Sequence, residues 1–226
     1  QSLDAAEASA RGLHRQPRGR LTVSMPLLMG QQLVTPILID YLHQFDEVEI
    51  ISHYLDRPPH LHEESIDVAI LAGNLPDSSL FAIRVGSIRR VVCASAVYLK
   101  ANGTPQTPEQ LRMHPLIHSS ADARLPEWRF NAEGEIRHLS FQPRLSCSTN
   151  QAAINAVRYH GGLTRCMSYQ IHDLLASGQL QTVLIEYELP AIPVHVVYRE
   201  GRKAAARVRS FVDFAVARLR EHPALR

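Results

Sequence analysis

The chain has 226 residues, of which 45% are hydrophobic, 20% charged and 6% aromatic, a composition that excludes disordered and collagen-like proteins. Its 24 basic and 22 acidic side chains leave a formal charge of +2, which indicates no strong general attraction to nucleic acids or anionic membranes. No apolar stretch approaches the roughly 20 residues of a membrane span, and no signal peptide is recognisable at the start of the sequence. We therefore expect a cytoplasmic protein without a membrane partner, built as one large domain or two lobes.

Residues 1–20 are expected to form a short helix (residues 2–10) followed by a loop whose composition suits a linker. Four arginines lie in this stretch, at positions 11, 15, 18 and 20. No aromatic side chains alternate with them, so a solvated linker is favoured over a nucleic-acid site.

The next part of the chain predicts a βαβ order. Residues 21–24 alternate apolar and polar side chains, as a half-buried strand does. Residues 33–45 carry apolar side chains at helical spacing, and Pro36 either kinks this helix or marks the start of its regular part. Residues 48–52 and 67–71 read as strands, the second being the continuous apolar run typical of a covered parallel sheet.

A second series of elements starts at residues 90–94, which again read as a strand. The expected elements are strands at 116–117, 128–130, 138–141, 145–148, 163–166 and 194–198, with helices around 98–99 and at 107–112, 150–159, 168–176 and 208–219. Strands 128–130 and 138–141 are expected to pair in antiparallel fashion around Glu133 and Gly134. This restart predicts an α/β fold of two βαβ-type lobes with a cleft between them, where open α/β sheets bind ligands.

Catalytic and cofactor signatures are missing from the sequence. It contains no G-x-S-x-G, H-E-x-x-H, P-loop or G-x-G-x-x-G motif, so we expect neither an enzyme nor a bound cofactor. A metal site at His60 and His62, followed by Glu63 and Glu64, is disfavoured against a solvated helix start.

The three cysteines are widely spaced, at positions 93, 147 and 166. An odd, dispersed set argues against a secreted disulfide framework and fits a reducing compartment. Cys147 and Cys166 fall near predicted strand ends, where a redox switch would need both thiols close together. Small buried side chains are the favoured interpretation.

Polar side chains gather at predicted strand ends and helix starts, the positions that line a cleft. They are Ser24, His118, Ser119, Ser120, Ser148, Thr149, Asn150, Thr164, Arg165 and His195. Each of them alone is better explained as a helix cap or a surface residue. Their convergence, together with the unpaired N–H groups of helix N-termini, predicts a site for a small anion or polar metabolite.

Several segments together resemble the effector-binding domain of LysR-type transcriptional regulators. They are residues 19–24, 66–80, 89–95 with 98–99, 127–130, 162–165, 174–180, 193–198 and 207–214. The most specific of these stretches are residues 67–80 and 90–99.

The resemblance implies a periplasmic-binding-protein-like fold that senses a small effector. Lobe one would comprise residues 21–93 and 198–226, and lobe two residues 94–197. The family implies a homodimer or homotetramer, with DNA contacted only by an N-terminal helix-turn-helix domain absent from this sequence. The alternative interpretation is a solute-binding protein of the transport type, which shares the two-lobed architecture.

The sequence departs from the family pattern at two places that bear on the effector. The loop after the first strand, where the family often has Ser or Thr, reads Met25-Pro26-Leu27-Leu28-Met29. We therefore include Met25, Pro26 and Leu28 among the effector contacts and expect an effector with an apolar or aromatic portion. Arg165 is either the partner of a ligand carboxylate or a member of a surface ion pair.

Overall fold

The computed structural model describes residues 16–55, 65–75, 80–121, 126–199 and 204–226. The chain divides into two compact units, Gln1–Ser87 with Pro193–Arg226, and Ile88–Ile192. The boundaries thus lie after residues 87 and 192, rather than after residues 93 and 197 as the sequence suggested. The reason is strand pairing: residues 90–95 pair within the second unit's sheet and residues 194–198 within the first. The predicted linker helix at residues 2–10 lies outside the described residues.

Twelve strands are found in the described part of the chain. They are β1 (Gly19–Pro26), β2 (Val48–Leu55), β3 (Val68–Ala72), β4 (Phe81–Ile88), β5 (Arg90–Ser95), β6 (Leu116–Ser119), β7 (Glu127–Ala132), β8 (Glu135–Ser140), β9 (Leu145–Cys147), β10 (Leu163–Met167), β11 (Leu180–Val183) and β12 (Ile192–Tyr198). The first sheet has the order β2-β1-β3-β12-β4, the second β11-β5-β10-β6-β9, and β7 and β8 form a separate hairpin.

The α-helices are α1 (Leu27–Met29), α2 (Thr35–Gln44), α3 (Ala96–Asn102), α4 (Asn150–Arg158), α5 (His172–Ala176) and α6 (Ala206–Glu221). A π-helical turn, Gly30–Val34, joins α1 to α2. Four 3₁₀ segments complete the described structure: Pro108–Met113, Ser168–Ile171, Ile185–Tyr187 and Pro223–Leu225.

The first unit packs α2 and α6 together around an aromatic centre. Tyr41 is fully buried, and its ring meets Phe211 edge-on at a centroid distance of 5.2 Å. Pro36 lies in the first turn of α2, directly after the π-helical turn Gly30–Val34, and proline is tolerated in the first turn of a helix. The second of the two predicted roles for Pro36 is the observed one, because the regular α-helix begins at Thr35, immediately before this proline.

The second sheet is covered differently on its two faces. One face, carrying Val91, Cys93 and Ile117, packs against α4 through Ile154 and Val157. The other face packs against the β7–β8 hairpin, chiefly through the residues of one apolar cluster that includes Leu116, Leu163, Trp128, Phe130 and Leu139. Because successive side chains of a strand point to opposite faces, adjacent residues of β6 and β10 serve different sites.

Most predicted elements are confirmed, including the hairpin around Glu133 and Gly134. Two strands, β4 and β11, were not predicted. In β4 only Val85 and Ile88 are buried, so the strand has no regular alternation of apolar and polar residues. The β11 strand is four residues long and lies just after Gly178, which is too short for a periodicity to be recognised.

Candidate functional site

Ser119 ends β6 in the second unit and faces α4. Its register partner is Cys147 at the end of β9, and the backbone N–H of Ser120 closes this edge by donating to the Cys147 carbonyl at 2.9 Å. The Ser119 side chain is only 4% exposed, and its hydroxyl has no hydrogen-bond partner among the described residues. The ends of β6 and β9 thus present a buried polar atom with unused hydrogen-bonding capacity.

The N-terminus of α4 follows directly after β9. Thr149 caps this helix, since its hydroxyl accepts a hydrogen bond from the Ala152 N–H at 3.2 Å. Ser148 and Thr149 are exposed, and the Oδ1 atom of Asn150 is buried without a partner in the described part of the chain. A free helix N-terminus carries partial positive charge, so the predicted polar residues 148–150 do lie where an anion is favoured.

Thr164 shares its sheet face with Ser119 but is already engaged. Its hydroxyl donates to the Ile117 carbonyl at 2.9 Å and is completely buried. Its side chain therefore holds β10 against β6, and only its remaining lone pairs are open to a ligand.

His118 and Arg165 point to the opposite face, toward the hairpin. The His118 ring lies 6.2 Å from Phe141, and Phe141 meets Trp128 at 4.8 Å. The guanidinium carbon of Arg165 lies 5.8 Å from the centre of the Trp128 ring, at a cation–π distance. Arg165 is 7% exposed, so its side chain lies in the interior of the unit rather than on its surface.

In the first unit the structure brings Ser24 and His195 to one face of the sheet. Ser24 pairs with Ala69 of β3, and Ala69 pairs with Val197 of β12, two residues beyond His195. The Ser24 hydroxyl and the His195 Nδ1 atom are both buried without partners among the described residues. Burial, followed by the positive charge of Arg84, lowers the pKa of His195.

The apolar residues predicted as effector contacts beside Ser24 differ in burial and in the face to which they point. Met25 is 1% exposed and pairs with Tyr54 on the other face of the sheet, and Leu28 of α1 is buried as well. Pro26 is half-buried. The loop thus directs Met25 and Leu28 into the core of the unit.

The chain matches the family model of the LysR substrate binding domain over residues 14–220. It belongs to this family. The match includes both units and both groups of polar residues described above. The predicted fold class, two α/β lobes of the periplasmic-binding-protein type, is thereby confirmed.

Relatives of this LysR domain are transcriptional regulators. The chain is 29% identical over 223 residues to the probable HTH-type transcriptional regulator LtrA of Klebsiella pneumoniae, covering 95% of this chain and 71% of LtrA. It is also 29% identical over 222 residues to an HTH-type regulator of Xanthomonas campestris pv. campestris, covering 96% of this chain and 64% of that protein. The chain thus spans about two thirds of the length of these relatives.

A solved structure similar to this LysR domain is CrgA, a LysR-type transcriptional regulator from Neisseria meningitidis. The TM-score is 0.80 at 25% identity, over 96% of this chain and 74% of CrgA. The regulatory domain of AphB from Vibrio vulnificus, at 24% identity and a TM-score of 0.78 over 88% of this chain and 98% of that one, shares the fold. The transport-type alternative is not supported by these regulators.

The three cysteines of this LysR domain are free thiols, and Cys166 lies close to Cys93. The Sγ atoms of Cys93 and Cys166 lie 3.9 Å apart on neighbouring strands β5 and β10, whereas Cys147 ends β9. Cys93 and Cys166 are buried, as expected for small apolar side chains, whereas Cys147 is only partly buried.

No group of three or more His, Cys, Asp or Glu side chains in the described ranges is arranged to hold a metal ion. The candidate ligands at positions 60 and 62–64 lie outside the described residues. No helix in the part that the structure describes has the length and hydropathy of a membrane span.

A group of functional candidates was missed by the sequence interpretation. Arg90, Arg129 and Glu188 line a pocket of the second unit that also includes Arg165. The sequence feature that could have indicated them is a charged side chain next to an apolar strand, as at Arg90 beside residues 91–94.

Proposed function

We propose that this LysR substrate-binding domain senses a small polar or anionic effector at Ser119 and the N-terminus of α4. The effector in turn controls DNA binding by a helix-turn-helix domain of the same regulator. The observation that carries the site is the Ser119 hydroxyl, which is buried at a strand end without a hydrogen-bond partner among the described residues.

An unsatisfied buried hydroxyl destabilises a protein by about 1–3 kcal/mol. Such a cost is offset when a ligand supplies the missing partner. Ser119 can donate to a carboxylate or carbonyl oxygen, while the exposed N-terminus of α4 attracts negative charge. A small organic acid or a polar metabolite with an accepting oxygen therefore fits the site best.

Regulation requires only that the effector bind one arrangement of the domain better than another. This needs no bond-making step, so we assign no catalytic activity to the chain. We place the regulator in the cytoplasm as a homodimer or homotetramer, with DNA contacted through the helix-turn-helix domain alone. Ser24, Met25, Pro26, Leu28 and His195 of the first unit stay predicted effector contacts.

The test is Ser119→Ala with Ser120→Ala as the matched control, each screened by thermal shift against a panel of small organic acids and polar metabolites. Without ligand, Ser119→Ala should melt at the same temperature as the native chain or higher, because an unsatisfied group is removed. With the effector, its stabilisation should fall by the equivalent of about a tenfold weaker Kd. The exposed Ser120 hydroxyl donates to the Cys147 carbonyl rather than being buried without a partner, so Ser120→Ala should retain the full shift.

Two outcomes would contradict the site. One is an effector whose stabilisation is equal in Ser119→Ala and in the native chain. The other is a lower melting temperature of unliganded Ser119→Ala, which would show that the hydroxyl stabilises the fold itself.

A further inference from the structure

Two buried polar atoms of the second unit have no hydrogen-bond partner among the described residues. They are the hydroxyl oxygen of Ser119, which ends β6, and the Oδ1 atom of Asn150, which begins α4. Since neither has a partner there, the two side chains do not hydrogen-bond to each other. The amide oxygen of Asn150 is an acceptor, whereas the Ser119 hydroxyl both donates and accepts.

The direction of α4 brings these two residues to the same end of the second sheet. The strand β6 runs parallel to both β9 and β10, and α4 connects β9 to β10. A helix that joins two parallel strands has to run back against them. The start of α4 therefore lies over the end of β6.

Asn150 lies on the side of α4 that packs against the sheet. Ile154 and Val157 are buried in the apolar cluster that also contains Ile117 of β6. Asn150 precedes these two helix residues by four and seven positions, and such spacings share one helix face. Ser119 follows Ile117 by two positions, so it points to the same side of its strand. Asn150 and Ser119 thus face each other about 6 to 7 Å beyond the apolar cluster, one helical turn or two strand residues further along.

The surface beside this buried pair is polar and exposed. Ser148 and Thr149 directly precede Asn150, and both are exposed. The N-terminus of α4 carries partial positive charge at the same place. A ligand can therefore keep its carboxylate at the helix N-terminus and insert a single oxygen atom, the size of a water molecule, between Asn150 and Ser119.

We propose that the effector is a small 2-hydroxy acid, an inference that rests on the proposed function. Its hydroxyl oxygen accepts a hydrogen bond from Ser119 and donates its own proton to the Oδ1 atom of Asn150, while its carboxylate lies at the N-terminus of α4. A hydroxyl satisfies both side chains because it donates and accepts. A protonated amine in its place leaves the Ser119 proton unpaired, and its charge is repelled by the helix N-terminus. The site therefore prefers a 2-hydroxy acid to the amino acid of the same shape.

The experiment compares acids that differ only in the group on the carbon next to the carboxylate. The matched pairs are lactate with propionate, malate with succinate, and mandelate with phenylacetate, and alanine is the amino counterpart of lactate. Isothermal titration calorimetry measures the Kd of each acid for the native chain and for three variants. Asn150→Ala removes the proposed acceptor, and Ser119→Ala removes the proposed donor. Asn155→Ala is the matched control on the same helix, because the Asn155 Oδ1 atom already accepts a hydrogen bond from Gln151 at 3.1 Å.

We expect at least one hydroxy acid to bind the native chain at least about tenfold more tightly than its counterpart without the hydroxyl. In Asn150→Ala this ratio should fall below about threefold, because only the hydroxy acid loses a contact. Asn155→Ala should keep the native ratio, and lactate should bind more tightly than alanine. Unliganded Asn150→Ala should melt no lower than the native chain, since a buried acceptor without a partner is removed.

Four results would overturn the proposal. They are no saturable binding of any hydroxy acid, an equal Kd for the two members of every pair, a native ratio that persists in Asn150→Ala, and tighter binding of alanine than of lactate.

The proposed function is judged by a different measurement, the loss of binding in Ser119→Ala. An acid that this variant weakens, but that binds equally well without its hydroxyl, leaves the effector site in place and removes only the assignment of a 2-hydroxy acid. A hydroxy acid that binds equally in Ser119→Ala and in the native chain would remove both.

Discussion

His195 is a residue whose protonation state is coupled to folding. Its pKa is lowered by burial first and by Arg84 second, so the folded chain favours the neutral ring. As the pH falls through the ordinary histidine value of about 6.5, the unfolded chain takes up a proton before the folded chain does. The stability contributed by neutral His195 is therefore complete above that pH and is lost below it.

We expect the melting temperature to fall as the pH is lowered from about 7 to about 5, and to fall less steeply in His195→Asn. Calorimetry of both proteins across this range provides the measurement. His114, whose pKa burial also lowers, contributes with the same sign in both proteins and so cancels from the comparison. Identical pH dependence in the two proteins would show that protonation of His195 does not differ between the folded and the unfolded chain.

The sequence predicted which residue types lie at the candidate site, but not the face of the sheet to which each side chain points. The sequence grouped Thr164 with Arg165 because both close one strand. The alternation of side chains sends Thr164 toward α4 and Arg165 toward the hairpin, and only the register of β10 with its neighbours decides which face is which. Arg90 and Glu188 come from distant parts of the chain, so no local pattern could unite them with Arg165.

At the scale of elements, β4 and the C-terminal segment depend on each other. A Cβ atom added at Gly86 would meet the backbone carbonyl of Leu225, and would approach the Leu225 Cβ at 2.8 Å. Leu225 is 2% exposed, and Arg220 donates two hydrogen bonds to the Arg84 carbonyl on the same strand. The end of the chain is thus packed on β4, which explains how a strand with few buried side chains is held.

Gly86→Ala should therefore lower the free energy of unfolding by about 1–3 kcal/mol, as overpacking does. Urea unfolding measures this cost in the native chain and in a variant lacking Leu225 and Arg226. In the truncated background the substitution should cost less than half as much, because the atoms that it meets are gone. An equal cost in both backgrounds would mean that the strain arises within β4 itself.

Elements with a clear periodicity of apolar and polar residues were predicted well. Elements held by contacts to distant parts of the chain were not. The apolar face of α6 and the hairpin turn at Glu133 and Gly134 can be recognised from neighbouring residues in the sequence. By contrast, β4 and β11 owe their pairing to strands far away in the chain. The sequence also placed the boundary between units at residue 93, because local alternation cannot tell which sheet a strand such as β5 joins.

At the scale of the whole molecule, charge bears on how a LysR regulator meets DNA. The 24 basic side chains are nearly balanced by 22 acidic ones, and part of the basic set, Arg90, Arg129 and Arg165, faces a pocket. Affinity for the phosphate backbone depends on how many phosphates are neutralised, and it falls steeply with salt. A chain with a formal charge of +2 has little of this electrostatic affinity.

The chain alone should give no sequence-specific shift with operator DNA, and any residual binding should vanish between about 50 and 200 mM salt. Electrophoretic mobility assays over this range, with the complete regulator as the positive control, measure the difference. The complete regulator should keep a specific complex at the higher salt concentration, because base contacts in the grooves contribute beyond the phosphate contacts. A salt-resistant specific complex formed by this chain alone would show that DNA is read by the LysR substrate-binding domain itself, and the division of labour proposed for the regulator would then be wrong.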